Sequence, residues 1–112
     1  MNEIKKTDAV LIDDDTLVHL VWRMSASQKG KNVLVFSRVE EFENNSFDLD
    51  VNVPIYLDSQ LGEEGLGEDL AERLQAKGFT NIFLCTGFSK DMIKNHQLIQ
   101  GVVGKEPPWE TV

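Results

Sequence analysis

The run Val-Pro-Ile-Tyr-Leu-Asp, residues 53–58, is apolar until its last residue and is followed at once by the loop Ser-Gln-Leu-Gly. A continuous apolar run without polar alternation is typical of a strand that is buried on both faces, as in a parallel sheet. Pro54 fits near the start, because the first positions of a strand tolerate a missing N–H donor. We therefore predict a buried strand that carries the carboxylate of Asp58 to the edge of a sheet.

Four other stretches have the same form, an apolar run that ends in polar or small residues. They are Ala9–Ile12 before Asp13, Asp14 and Asp15; Val33–Phe36 before Ser37; Ile82–Cys85 before Thr86 and Gly87; and residues 102–103 before Gly104 and Lys105. Helical spacing or capping signals between them predict helices over residues 16–29, 37–43, 68–77 and 89–97. The alternation of strands and helices predicts an α/β fold with a five-stranded parallel sheet covered on both faces.

The predicted first helix carries apolar residues at helical spacing. Leu17, Leu20, Val21 and Met24 are expected to face inward. His19 lies off that face, so we interpret it, like His96 in the fourth helix, as an ordinary surface residue. For Trp22 two interpretations remain, part of a docking patch or a partly buried core aromatic. The second helix is expected to begin with a capping box, Ser37-Arg-Val-Glu40.

Size and composition restrict the class of protein. The 112 residues predict one domain over residues 9–105, a polar lead over 1–8 and a short tail over 106–112. A formal net charge of −8 with no basic stripe argues against direct nucleic-acid binding. No apolar run predicts a membrane span or a signal peptide. The single cysteine, Cys85, is expected to be a buried apolar residue, and a reducing, cytoplasmic location follows.

The polar residues at the strand ends form a chemical set. In a parallel sheet the carboxyl ends of the strands share one edge, where ligands bind. Adjacent carboxylates are costly unless a cation offsets their charge, and Mg²⁺ prefers oxygen ligands and bridges to phosphate. Asp58 would then be a carboxylate nucleophile toward a phosphoryl group, with Lys105 and Thr86 stabilising its oxygens.

The chain resembles the receiver (response-regulator, CheY-like) domain of two-component signalling. Four motifs carry the resemblance, in the family's order: VLIDDD at 10–15, IYLDSQLG at 55–62, FLCTG at 83–87 and VVGK at 102–105. The resemblance implies a doubly wound, flavodoxin-like sheet of order 2-1-3-4-5 with four helices and no fifth helix. It further implies a phosphorelay module that is phosphorylated by a histidine kinase or a phosphotransfer domain.

The resemblance also implies roles for individual residues. Asp58 corresponds to the phosphoacceptor, Thr86 to the switch hydroxyl and Lys105 to the phosphate-binding lysine. Asp13, Asp14, Asp58 and the backbone carbonyl of Gln60 correspond to the ligands of Mg²⁺ or Mn²⁺. Asp15 then serves as a helix cap, Gly87 leaves room for the phosphate, and the side chains of Gln60 and Phe88 flank the site.

Three departures from the family affect how the site is read out. Glu106 separates Lys105 from Pro107, and Val102 stands where an aromatic switch residue is usual. The tail Glu-Pro-Pro-Trp-Glu-Thr-Val is too short and proline-rich for a fifth helix. We expect Trp109 to fold over the uncovered sheet face, or a second subunit or neighbouring domain to cover it. Such an ending is most like that of receivers at the C-terminus of hybrid sensor histidine kinases.

Two alternatives remain open from the sequence. The first is a degenerate receiver that only docks or dimerises. The second is a phosphatase of the haloacid-dehalogenase type, whose Asp-x-Asp-x-Thr motif is nearly matched by Asp-Asp-Asp-Thr-Leu at 13–17. A receiver is expected to catalyse nothing beyond its own phosphorylation and slow hydrolysis of the aspartyl phosphate.

Overall fold

The computed structural model describes residues 6–86 and 99–110, and within them five strands form one sheet. The strands are β1 (Ala9–Ile12), β2 (Val33–Phe36), β3 (Ile55–Asp58), β4 (Ile82–Cys85) and β5 (Gly101–Val103). All neighbours pair in parallel, in the order β2-β1-β3-β4-β5. This is the flavodoxin-like or CheY-like strand order, and the predicted fold class is confirmed.

Three α-helices lie in the described residues. They are α1 (Thr16–Lys29), α2 (Val39–Asn44) and α3 (Gly67–Gln75). Short 3-10 turns occur at Gly62–Glu64 and Pro108–Glu110. The predicted fourth helix over 89–97, with His96, Gly87 and Phe88, lies outside the described residues. None of the helices described is long and apolar enough to cross a bilayer.

The register of the sheet brings the strand ends together. Ile12 pairs with Leu57, and Asp58 pairs with Cys85. The residues that directly follow β1 and β4, Asp13 and Thr86, therefore lie at the same edge as Asp58. Continuous apolar runs make this arrangement stable, because β1 is completely buried and only Tyr56 of β3 is partly exposed.

The first helix packs on the sheet with a different face from the one predicted. Leu17, Leu20, Val21 and Met24 are between 48% and 65% exposed, so the expectation that they face inward is wrong. The buried row contains Trp22 and Ala26, with Val18 partly buried beside them. The helix carries two rows of apolar residues at helical spacing, and the row with Trp22 packs in one buried cluster with Ala9 and Leu11.

Trp22 is therefore a core aromatic. It is fully buried and packs against Tyr56 and Trp109, with ring centroids 5.3 and 5.5 Å apart. This cluster fills the side of the sheet that α1 covers, whereas Phe42, Leu74 and Leu84 belong to the larger core on the other side.

The second helix begins differently from the predicted capping box. It starts at Val39, and its N-cap residue, Arg38, makes no side-chain cap. The carboxylate of Glu64 accepts hydrogen bonds from the amides of Val39 and Glu40 at 2.7 and 2.9 Å. A distant acid thus satisfies the free N–H groups and the positive end of the helix dipole.

The C-terminal tail folds back over part of the sheet face beside α1, as expected for Trp109. The Trp109 indole N–H donates to Ser25 Oγ at 2.7 Å, and the Ser25 hydroxyl donates to the carboxylate of Glu110. Part of the face stays open, because a cleft of about 300 Å³ remains between Tyr56, Phe83, Val103 and Pro108.

Candidate functional site

Three carboxylates meet at the carboxyl ends of β1 and β3. Asp13 is completely buried, Asp58 is buried, and Asp14 is exposed. One oxygen from each lies within 4.8 Å of the others. Asp14 reaches toward the loop after β3, where its Oδ2 lies 3.6 Å from the position that a Cβ on Gly62 would take. Buried acids on two adjacent strand ends and an exposed acid above them form an open oxygen-lined site.

Lys105 brings a positive charge to this site. Its Nζ donates to Asp13 Oδ2 and to Asp58 Oδ1, both at 2.8 Å. The lysine comes two residues after β5, at the far side of the sheet from β1, so a long side chain is needed to reach Asp13. The ammonium group balances part of the charge of two carboxylates that would otherwise repel each other.

These contacts shift the pKa values of the pair. Burial raises the pKa of Asp58 above its usual value; the hydrogen bond from Lys105 opposes this shift and the charge of Asp13 adds to it. Burial by itself would lower the pKa of Lys105, but the hydrogen bonds to Asp13 and Asp58 outweigh it and raise that pKa. Lys105 thus stays charged at neutral pH.

Other predicted site residues lie at the same edge. Asp15 caps α1, since its side chain accepts from the Leu17 amide at 2.9 Å, which confirms the predicted cap. Thr86 is buried at the end of β4, and its amide donates to the Val103 carbonyl at 2.9 Å. The Gln60 amide approaches Asp58 Oδ1 at 3.3 Å.

Gln60 was predicted as a metal ligand through its carbonyl oxygen. The residue forms an isolated antiparallel bridge with Leu66. The two hydrogen bonds of this bridge run from Leu61 to Gly65 and from Gly67 to Ser59, so neither of them uses the Gln60 carbonyl. The bridge ties the loop after Asp58 to the start of α3 and leaves the Gln60 carbonyl outside its hydrogen bonds.

His19 differs from its prediction as a surface residue. It is buried, and its Nε2 bonds to the carbonyl oxygen of Asp13. A ring nitrogen can only approach a carbonyl favourably as a donor, so this nitrogen carries the proton. The helix therefore holds the backbone of the buried acid. One sequence signal of this contact is the six-residue separation from Asp13, which places His19 one turn into the helix after the acids.

Trp22 and Gly67 also shape the site. The Trp22 indole N–H donates to the Lys105 carbonyl at 2.9 Å. Gly67, the first residue of α3, donates its amide to the Ser59 carbonyl at 2.9 Å. A Cβ on Gly67 would overlap the Asp58 carbonyl oxygen and come within 3.0 Å of Ser59 Cα. The only sequence signal for this close approach was a glycine at the start of a helix.

The three carboxylates fit a hard divalent cation. Mg²⁺ takes oxygen ligands, retains several waters and uses only one or two protein carboxylates directly. Asp13, Asp14 and Asp58 offer these oxygens at one open edge, and the exposed position of Asp14 leaves space for water and a further ligand.

Comparison with known proteins returned no match to this chain among family models, curated proteins or solved structures.

Proposed function

We propose that this chain is a receiver domain, a module that accepts a phosphoryl group on Asp58 from a phosphohistidine donor in the presence of Mg²⁺ or Mn²⁺. One observation carries the proposal. Lys105 Nζ lies 2.8 Å from oxygens of both Asp58 and Asp13, and a third acid, Asp14, completes a cluster within 4.8 Å. One edge of the sheet thus holds a carboxylate that can act as a nucleophile, an ammonium group bonded to it and further oxygen ligands for a hard cation.

The reaction would transfer one phosphoryl group. A carboxylate oxygen of Asp58 attacks the phosphorus, the P–N bond to the donor imidazole breaks, and the leaving nitrogen takes a proton. The products are an acyl phosphate on Asp58 and a neutral histidine on the donor. A cation held by Asp13, Asp14 and Asp58 would supply positive charge to the phosphoryl oxygens.

Lys105 has two roles in this scheme. Before transfer it balances the charges of Asp13 and Asp58, because its Nζ contacts both. After transfer one Asp58 oxygen is bonded to phosphorus in the acyl phosphate, and the same ammonium group can donate to a phosphoryl oxygen instead. Thr86, buried at the end of the neighbouring strand, is the hydroxyl donor proposed for a second phosphoryl oxygen.

The raised pKa of Asp58 bears on the reaction, since only the ionised carboxylate is a nucleophile. Burial favours the neutral acid, whereas Lys105 favours the anion. Binding of a divalent cation adds to the effect of Lys105. We therefore expect the requirement for the metal to become stronger as the pH falls and the proton competes for Asp58.

Incubation with acetyl phosphate or phosphoramidate, read by intact mass, tests the proposal. The wild-type chain should gain one phosphoryl group with Mg²⁺ and none with EDTA, and Asp58→Asn should gain none. Asp69→Asn is the matched control, because Asp69 is an exposed acid on α3, and it should behave like the wild type. If the wild-type chain stays unmodified, the proposal is wrong and the chain is a degenerate receiver that only docks. Rapid release of phosphate from simple esters would instead indicate the phosphatase.

A phosphotransfer assay would test the donor. A histidine phosphotransfer domain labelled with ³²P should lose its label to the wild-type chain and keep it with Asp58→Asn. If the small phosphodonors label Asp58 and no phosphohistidine protein does, the chemistry stands and the assignment to a phosphorelay is wrong.

A further inference from the structure

The outer face of α1 is a continuous apolar surface. Leu17, Leu20, Val21 and Met24 are 65%, 52%, 48% and 55% exposed. They follow each other at i, i+3, i+4 and i+7, which places them in one stripe on the helix. We call these four residues the α1 stripe. The opposite side of the helix already packs on the sheet through Trp22 and Ala26.

A helix that is apolar on both sides is expected where both sides are covered. Single exposed apolar residues are ordinary, but four adjacent ones on two turns of one helix mark a contact surface. Each of the four is about half exposed or more, so the stripe is available to a partner.

The stripe is complementary to itself. Its spacing of three, one and three residues reads the same in both directions, with a midpoint between Leu20 and Val21. If two copies pair antiparallel about that midpoint, Leu17 of one faces Met24 of the other, and the two Leu20–Val21 pairs meet at the centre. A two-fold contact requires this kind of self-matching surface.

The charges of α1 favour the same arrangement. Asp14 and Asp15 precede the helix, Lys29 ends it, and no acid occurs from Thr16 to Lys29. In the antiparallel pair the acidic start of each helix lies near the level of the partner's basic end, about 3–5 Å apart in helix rise. Lys29 itself points away from the stripe, so the charges act through the opposed helix ends and not through a direct contact. A parallel pair would instead place acids beside acids and lysines beside lysines.

We propose that the chain forms a two-fold homodimer through the α1 stripe, with the two helices antiparallel. The helix has no acids along its length, so this face avoids most of the repulsion expected between two chains of net charge −8. Four apolar residues from each chain make a small interface at the low end of specific complexes, roughly 1,200 Å² or less. The dimer is therefore concentration-dependent. It stands independently of the phosphoacceptor function.

Sedimentation velocity of the full chain from about 10 μM to 1 mM tests for the dimer. The wild type should shift from monomer to dimer over this range, and Leu20→Glu or Val21→Glu should weaken dimerisation at least tenfold, since both place carboxylates at the two-fold axis. Phe47→Glu is the matched control, because Phe47 is 86% exposed and lies outside α1, and it should dimerise like the wild type. Both stripe positions are exposed, so circular dichroism should show unchanged folding.

Cysteine cross-linking tests the orientation. Leu20→Cys lies next to the axis and should form an interchain disulfide under mild oxidation. Leu17→Cys alone should not, because its two copies are offset by about 10 Å along the helices. A mixture of Leu17→Cys and Met24→Cys chains should form the mixed disulfide. Native Cys85 is buried and supplies little background.

Three results would overturn the proposal. If the chain stays monomeric at 1 mM, the stripe does not bind a second copy, and a helix of another protein becomes its expected partner. Dimerisation that is unchanged in Leu20→Glu and Val21→Glu would place the interface elsewhere. Efficient self-linking of Leu17→Cys would mean that the helices pair in parallel.

Discussion

The indole N–H of Trp22 donates to the backbone carbonyl of Lys105 at 2.9 Å, joining α1 to the loop after β5. The Lys105 side chain continues from that anchored backbone to Asp13 and Asp58. In this chain a glutamate, not a proline, follows the lysine. A side chain from another element therefore fixes the backbone at this point.

Trp22→Phe should remove that anchor while keeping an aromatic ring in the core. We expect the free energy of unfolding to fall by about 1–3 kcal/mol, because a half-buried carbonyl loses its donor and the smaller ring leaves a void. Urea denaturation measures the loss. If the proposed function is right, labelling of Asp58 by acetyl phosphate should also slow.

Trp109→Phe serves as the control for this variant. It removes the bond to Ser25 and leaves the bond from Trp22 to Lys105 intact. Both variants should lose stability, so labelling is the measurement that distinguishes them. Slow labelling in Trp109→Phe with normal labelling in Trp22→Phe would contradict the anchoring role.

Lys105→Met should expose the repulsion between Asp13 and Asp58. We expect a loss of about 2 kcal/mol without metal, which is less than for a fully buried pair because the lysine side chain is 37% exposed. Saturating Mg²⁺ should restore most of the loss, since the cation replaces the missing charge. Thermal melts with EDTA and with Mg²⁺ give both values.

Lys77→Met is the matched control. Lys77 is 51% exposed and lies 4.0 Å from Glu43, so its removal should cost under about 0.5 kcal/mol. Its melting temperature should depend on Mg²⁺ as that of the wild type does. Equal effects of Mg²⁺ on Lys105→Met and Lys77→Met would argue against a cation site at Asp13 and Asp58.

Gly67→Ala should be strongly destabilising although alanine favours helices. A Cβ at this position would overlap the Asp58 carbonyl and come within 3.0 Å of Leu84 Cδ2, and backbone cannot move aside easily. We expect a loss of about 1–3 kcal/mol in chemical denaturation. Gly101→Ala should be nearly neutral, because its Cβ would lie 3.6 Å from Phe83, an ordinary contact.

Cys85 should resist thiol reagents in the folded chain. Burial raises its pKa to about 12, so neither access nor thiolate is present at pH 8. Modification by an aromatic disulfide reagent should follow the unfolded fraction in urea. The unfolded thiol ionises near pH 9 and the folded one only near 12, so this residue makes the free energy of unfolding fall as pH rises above about 9. Rapid reaction in native buffer would contradict the buried position.

The strands were predictable from sequence because apolar runs ending in polar residues are a local signal. β1, β2 and β4 have the predicted bounds, and β3 begins two residues later than the apolar run, after Pro54. The convergence of Asp13, Asp58 and Lys105 was also predictable, because parallel strands place their carboxyl ends on one edge.

The orientation of α1 was not predictable from periodicity. The helix has two rows of apolar residues, and spacing alone does not tell which row packs on the sheet. Tertiary packing buries the row that contains Trp22. The Trp22 indole also donates a hydrogen bond to Lys105, 83 residues away. The cap of α2 also depends on a residue distant in sequence, since Glu64 is 25 residues from Val39. Contacts of this range leave no local trace in the sequence.

The anchoring of the tail has a practical consequence for fusions. Trp109 and Glu110 both contact Ser25, in the second half of α1. A polypeptide attached after Val112 is therefore joined to this anchor through only two residues, which keeps its local concentration near α1 high. A bulky C-terminal tag could cover that helix, so fluorescent or affinity fusions are better placed at the opposite terminus.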